Sequence, residues 1–315
     1  MELVANRDIY GKTLLELGKK HKDIVVLDAD LSASTKTALF AKEFPERFFN
    51  LGVAEQNLIG FAAGVANSGK VAFASTFAIF ATGRAWEQIR NTVCLNNLNV
   101  KIVCSHAGIT VGEDGCSHQS LEDIALMCVI PQMTVIVPCD GNETRKAIIE
   151  AYKHKGPVYI RLNRPKFPVI TKETEDFKIG KGLKIKDGKD VTIIACGLMT
   201  SKALEATEIL KGKGIDAGLI NIHTIKPLDN DIIINAAKQT GAIVTAEEHS
   251  IIGGFGSMVS SALTANYPVP VEKVGIKDVF GQSGTPDELC RIYNIDTPDI
   301  VNAVEKVIKR KKLIN

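Results

Sequence analysis

His106-Ala-Gly-Ile-Thr-Val-Gly-Glu-Asp-Gly-Cys-Ser-His118-Gln119 sets two histidines, a glutamate and an aspartate between glycines, directly after the apolar run Val100 to Cys104. The run reads as a buried strand, and Gly108, Gly112 and Gly115 let the following backbone turn tightly and let a ligand approach it. Titratable side chains on a glycine-rich loop at a strand end are what a substrate site in an α/β protein requires. A solvated surface loop is the bland alternative, and four functional side chains in so short a span weigh against it.

Upstream, Phe49-Asn-Leu-Gly-Val-Ala-Glu55-Gln-Asn57 starts as a short strand and runs into the apolar, small-residue segment Leu58 to Ala66. Glu55 falls in the first turn of that helix, where the macrodipole favours an acid for purely structural reasons. The apolar residues are not confined to one stripe, so the helix is expected to be buried on most sides. A buried carboxylate needs a partner.

The alternation continues in both directions. Helix-like Ile9–His21, strand-like Ile24–Asp28, strand Val71–Ser75 and a helix through Trp86 and Ile89 precede the loop. A helix after Gln119, strand Met133–Pro138, helix Asn142–His154 and strand Pro157–Leu162 follow it. Strands alternating with helices imply mainly parallel sheets covered on both faces, an α/β fold of two three-layer units. From Thr171 to Asp190 the composition turns to Lys, Glu, Asp and Gly, a linker with room for one edge strand. A second series begins at Val191 and repeats at Ala217–Ile222, Ala242–Glu247 and Val271–Val274. The organisation expected is a first domain over 1–168, a linker over 169–190 and a second domain over 191–315.

With 315 residues, 45% hydrophobic and 23% charged, the chain can bury two proper cores. A formal charge of +2 leaves no basic stripe for nucleic acid, and Lys309–Lys312 reads as a solvated helix end. Seven cysteines without a Cys-x-x-Cys pair suit reduced thiols in the cytoplasm. No segment approaches a membrane span, and Met1 to Asp8 does not read as a signal peptide. His223 and His249 lack metal-site spacing and read as structural.

Taken together these motifs resemble the transketolase family, in its thiamine-diphosphate pyrimidine-binding and C-terminal domains, over almost the whole chain. The resemblance rests on Gly-Val-Ala-Glu-Gln-Asn (52–57), Ser-Thr-Phe77-Ala-Ile-Phe80, the loop Thr110 to Gln119, and Pro-Cys-Asp-Gly-Asn-Glu (138–143). It implies that Glu55 hydrogen-bonds the aminopyrimidine of thiamine diphosphate, favouring the imino form whose nitrogen takes the cofactor's C2 proton. Phe77 and Phe80 would stack on the pyrimidine, although paired phenylalanines are usually core. Gly83 stands where the family often has a third aromatic. Asp30 matches an acid near the cofactor. His118 matches a histidine beside the two-carbon fragment, able to shuttle a proton at neutral pH. Asp114 matches an acid that reads a sugar hydroxyl. His106, Arg164, Arg7 and Ser34 match positions that hold the sugar phosphate, with arginine suited to bidentate oxygen contacts. Arg161 is the alternative to Arg164, expected to point the other way.

The family binds the diphosphate through magnesium (or calcium) using Gly-Asp-Gly, and no such tripeptide occurs in this chain. The resemblance therefore implies the C-terminal subunit of a split transketolase, with an N-terminal subunit carrying the metal–diphosphate site in an α2β2 heterotetramer. Three other readings compete. One is the C-terminal part of a deoxyxylulose-phosphate synthase, another the beta subunit of a two-oxo acid dehydrogenase. The third is a non-catalytic scaffold subunit, disfavoured by the joint presence of Glu55, Asp114, His118 and Arg164.

Overall fold

The computed structural model describes residues 2–314. Its strands in chain order are β1 (Leu3–Ala5), β2 (Ile24–Asp28), β3 (Phe48–Asn50), β4 (Val71–Ser75), β5 (Val100–Cys104), β6 (Thr134–Ile136) and β7 (Val158–Arg161). They continue as β8 (Lys166–Pro168), β9 (Leu183–Lys186), β10 (Val191–Ala195), β11 (Ala217–Asn221), β12 (Thr224–Lys226), β13 (Ile243–Ser250) and β14 (Val271–Ile276).

Seven strands form one sheet in the order β12-β6-β7-β5-β4-β2-β3, parallel throughout except for β12. Five form a second, β14-β13-β10-β11-β9, parallel except for the edge strand β9, which comes from the Lys/Glu/Gly-rich stretch. β1 and β8 make a small antiparallel pair. Every residue of β2, β4, β5 and β7 is buried, as both-face helix cover demands. That cover takes in Lys101 on β5, whose Nζ donates to the carbonyls of His154 and Gly156 at 2.7 Å. Burial pushes its ammonium pKa down to about 7.

The two sheets share packing. β12 leaves the second half of the chain to pair with β6, and one apolar cluster joins Val135 and Val137 to Ile194, Ile220, Ile222, Ile225 and Phe255. The loop of interest leaves the C-terminal end of β5, at the edge of this junction.

Several elements depart from expectation. The first helix spans Asn6–Lys20, and the helix after Gln119 is short, Asp123–Cys128. The helix through Trp86 and Ile89 is α-helical only at Trp86–Gln88, between wide π-type turns at Phe80–Arg84 and Ile89–Cys94. The helix Glu55–Asn67 buries Leu58, Ile59, Ala62, Ala63 and Ala66, yet Gln56, Gly60, Phe61 and Gly64 face outward. Burial on most sides is not what this chain shows. The glycines that made the segment read as apolar all round have no side chain to bury.

Candidate functional site

Glu55 opens its helix behind a tight turn in which Ala54 N–H donates to the Gly52 carbonyl at 2.7 Å. The helix start sinks its side chain to 1% exposure, and the required partner is Arg84, whose Nη1 meets Oε2 at 2.7 Å. Oε1 takes no partner among the described residues. The π-type turn Phe80–Arg84 brings this arginine back over its own Phe80 ring, 4.9 Å from the centroid. Wide turns of this kind occur often at functional sites.

Phe80 continues the contact. Its ring lies 6.0 Å from that of Phe77 at 14° between planes. A parallel bridge to Ser105 fixes Phe77 at the end of β5, where its face stacks on His106 at 3.8 Å and 21°. His118 presents an edge to Phe80 at 5.2 Å and 76°. Glu55, Arg84, Phe80, Phe77, His106 and His118 thus form one contiguous chain of contacts, although they come from three separate motifs and, for Arg84, from outside any of them.

His106 is buried, holds a left-handed φ of 60°, and lies with Nδ1 2.8 Å from Ser105 Oγ. Its Nε2 lies 3.5 Å from Arg7 Nη1. Burial pushes its pKa down to about 3, and the cations of Arg7 and Arg164 add to that effect. Arg7 Nη1 also donates to the carbonyl, not the hydroxyl, of Ser34 at 3.2 Å, and its Nε is buried without a partner. Arg164 Nη1 donates to the Val111 carbonyl and to Glu113 Oε2, both at 2.5 Å. Arg161 does point elsewhere: it is buried and pairs with Asp123 at 2.8 Å.

Asp30 lies apart from the rings. Asn50 Nδ2 donates to its Oδ1 at 2.9 Å, while Asn50 Oδ1 accepts from the Asp30 and Gly52 N–H groups, tying it to the turn before Glu55. The loop carrying Asp30 and Ser34 is shaped by buried Asp28, which accepts from Leu31 N–H, Thr35 and Thr37. Asp114 is exposed at the end of the turn Ile109–Asp114, and its carboxylate has no hydrogen-bond partner among the described residues. Sequence reasoning missed Arg84, Ser105 and Asn50. Only the need of Glu55 for a counter-charge could have pointed to the first.

The residues present fit the pyrimidine half of thiamine diphosphate: a buried carboxylate with one oxygen free of partners among the described residues, linked through Arg84 to the half-buried ring of Phe80. No group of three or more His, Cys, Asp and Glu among the described residues is arranged to hold a metal ion. No helix among them is long and apolar enough to cross a membrane.

Comparison with known proteins identifies the family. Residues 2–169 match the transketolase pyrimidine-binding domain, and residues 180–300 match the transketolase C-terminal domain. The chain belongs to the transketolase family. It is 53% identical over 305 residues to a Methanocaldococcus jannaschii protein assigned as a transketolase C-terminal section, covering 96% of each. A solved structure described as a split-gene transketolase in an inactive beta4 tetramer superposes with TM-score 0.92 at 52% identity, covering 98% of this chain and 99% of that one. Human transketolase is 39% identical over 311 residues, which take in 98% of this chain and 49% of the human protein. The chain spans about half the length of that relative.

Proposed function

We propose that this chain is the pyrimidine-side subunit of a two-component transketolase. It moves a two-carbon ketol unit from a ketose phosphate to an aldose phosphate, and it acts only with a second subunit that carries the magnesium–diphosphate site. The contiguous chain of contacts from Glu55 through Arg84, Phe80 and Phe77 to the two histidines carries the reading. A relative 52% identical to this chain, described as a split-gene transketolase that is inactive as a beta4 tetramer, supports a partner. An α2β2 assembly is the arrangement we expect. Seven free cysteines favour the cytoplasm.

Thiamine diphosphate, when bound, supplies an electron sink for a carbanion next to a former carbonyl carbon. Glu55 shares a proton at Oε1 with the pyrimidine, while Arg84 holds Oε2 and fixes the carboxylate's orientation. Phe80, half-buried, would offer its face to the ring, while Phe77, buried with one face on His106, would back it and help exclude water. With Nδ1 of His118 within 3.0 Å of Ser117 Oγ, Nε2 remains to pass a proton at the transferred fragment. Arg7 and Arg164 bring positive charge to the sugar phosphate, and neutral His106 adds a hydrogen bond without a charge. Ser34 contributes by seating Arg7. Asp114 would accept from a sugar hydroxyl, and Asp30, tied through Asn50 to the turn before Glu55, would reach the cofactor from that side.

Reconstitution tests the proposal. The purified chain alone should turn over no sugar phosphate and bind thiamine diphosphate weakly. Addition of an N-terminal transketolase subunit and magnesium should restore both. Robust turnover by the isolated chain would remove the two-component reading.

A further inference from the structure

The second half of the chain grips the loop between His106 and Gln119 at two places. The first grip comes from β13, where Glu248 is buried beneath the loop. Its Oε1 accepts from the Thr110 backbone N–H at 2.7 Å, and its Oε2 accepts from Asn163 Nδ2 at 2.6 Å. Gly108 has a φ of 82°, and a Cβ there would lie 2.2 Å from the Glu248 carboxyl carbon. The loop can lie on the carboxylate only because that position has no side chain. The second grip is Gln119, whose Nε2 donates to the Gln282 carbonyl at 2.9 Å and to the Ile109 carbonyl at 3.2 Å. A Cβ on Gly115 would lie 2.7 Å from Ser283 Oγ.

Charge balance with Arg161 accounts for only part of what holds Glu248. Arg161 Nη1 is 3.7 Å from its carboxylate, but Arg161 Nε already pairs with Asp123 at 2.8 Å. Arg161 Nη2 donates to the backbone carbonyl of Glu248 at 2.8 Å. The short bonds of the carboxylate go to Thr110 and Asn163, on the loop and beside Arg164. A buried carboxylate that spends its lone pairs on a neighbouring loop fixes that loop's geometry.

We propose that Glu248 is a positioning residue for ketol transfer: through Thr110 N–H and Asn163 it sets the place of the loop that bears His106 and His118. The inference rests on the transketolase reading of that loop, and it gives the second half of the chain a part in the reaction through the loop it holds. Catalytic groups need placement to within a fraction of an ångström, and such placement comes from supporting hydrogen bonds.

Hydrogen exchange on the free chain, followed by kinetics of the reconstituted complex, tests it with three variants. Glu248→Ala removes both bonds. Glu248→Asp keeps a charge beside Arg161 but withdraws it from Thr110. Glu248→Gln can still accept from Thr110 and can donate to Asn163 Oδ1, which lacks a partner, if that amide turns over. In the Ala and Asp variants the amides of residues 108–119 should exchange about tenfold to a hundredfold faster, with β10 and β13 unchanged. In the complex both should lower kcat by a similar factor while thiamine diphosphate affinity stays within about threefold, and Gln should restore most of the loss. If Ala does not fold, Asp decides. Wild-type exchange across 108–119 in the folded variants, or a loosened loop with unaltered kcat, overturns the proposal. A wild-type complex without transketolase turnover would instead remove the functional reading, since the exchange result does not depend on activity.

Discussion

Glu55→Gln keeps the shape of the side chain and removes its ability to exchange a proton, and the structure separates its catalytic cost from its structural one. Arg84, the partner in the free chain, has a side chain 51% exposed, so losing a full charge opposite costs it about 1 kcal/mol or less. The glutamine carbonyl can still accept the Arg84 hydrogen bond. For a chain of this size that amounts to a Tm shift of about 2–4 °C at most. Arg84→Ala acts in the opposite sense, because it strands a carboxylate whose side chain is only 1% exposed. Breaking a buried pair in that way costs about 3 kcal/mol here, the low end of the usual range, since water can follow the departed arginine. The double variant should recover most of that stability. Turnover follows a different order. Glu55→Gln should lower kcat of the reconstituted complex by about a hundredfold or more, as for a lost acid–base group. Thermal unfolding of the free chain and steady-state kinetics of the complex make the comparison. Near-normal kcat in Glu55→Gln would return Glu55 to a helix-start acid that neutralises Arg84.

Arg164→Ala should reduce kcat/KM for phosphorylated substrates by about tenfold to a hundredfold, the worth of one charge-assisted contact, and spare an unphosphorylated donor such as hydroxypyruvate. Because Arg164 also fastens Val111 and Glu113, Glu113→Gln is the control; an equal loss for both donor types in Arg164→Ala would sink the phosphate assignment. His106, with a pKa pushed down to about 3, binds fewer protons folded than unfolded between that value and its ordinary 6.5. Its contribution to stability is therefore present above about pH 6.5 and is lost as pH falls toward 3. His106→Gln should flatten the acid limb of the stability curve in that window, measured by urea unfolding at stepped pH; an unchanged slope would contradict the buried, neutral histidine.

The amino-acid sequence by itself determined the α/β class, the strands β2, β4, β5 and β7, and the two motifs that carry Glu55 and the histidine loop. These were legible because they are local: an apolar run bounded by turns makes a strand, and glycines spaced through polar residues make a tight loop. The different directions of Arg161 and Arg164 were legible for the same reason. Other features were settled only by the tertiary structure. Arg84 reaches Glu55 across 29 positions because a π-type turn widens the helix by one residue, a choice that packing makes and periodicity does not signal. The outward face of the helix Glu55–Asn67 depends on which side of the sheet it covers, and its glycines carry no hydropathic signal either way. Glu248 meets Thr110 across 138 positions, and Gln119 meets Gln282 across 163. Such bonds leave no pattern along the chain, because each residue is an ordinary strand or loop residue in its own neighbourhood. They form where two sheets share a core through β12 and bring a carboxylate from one beneath a glycine of the other.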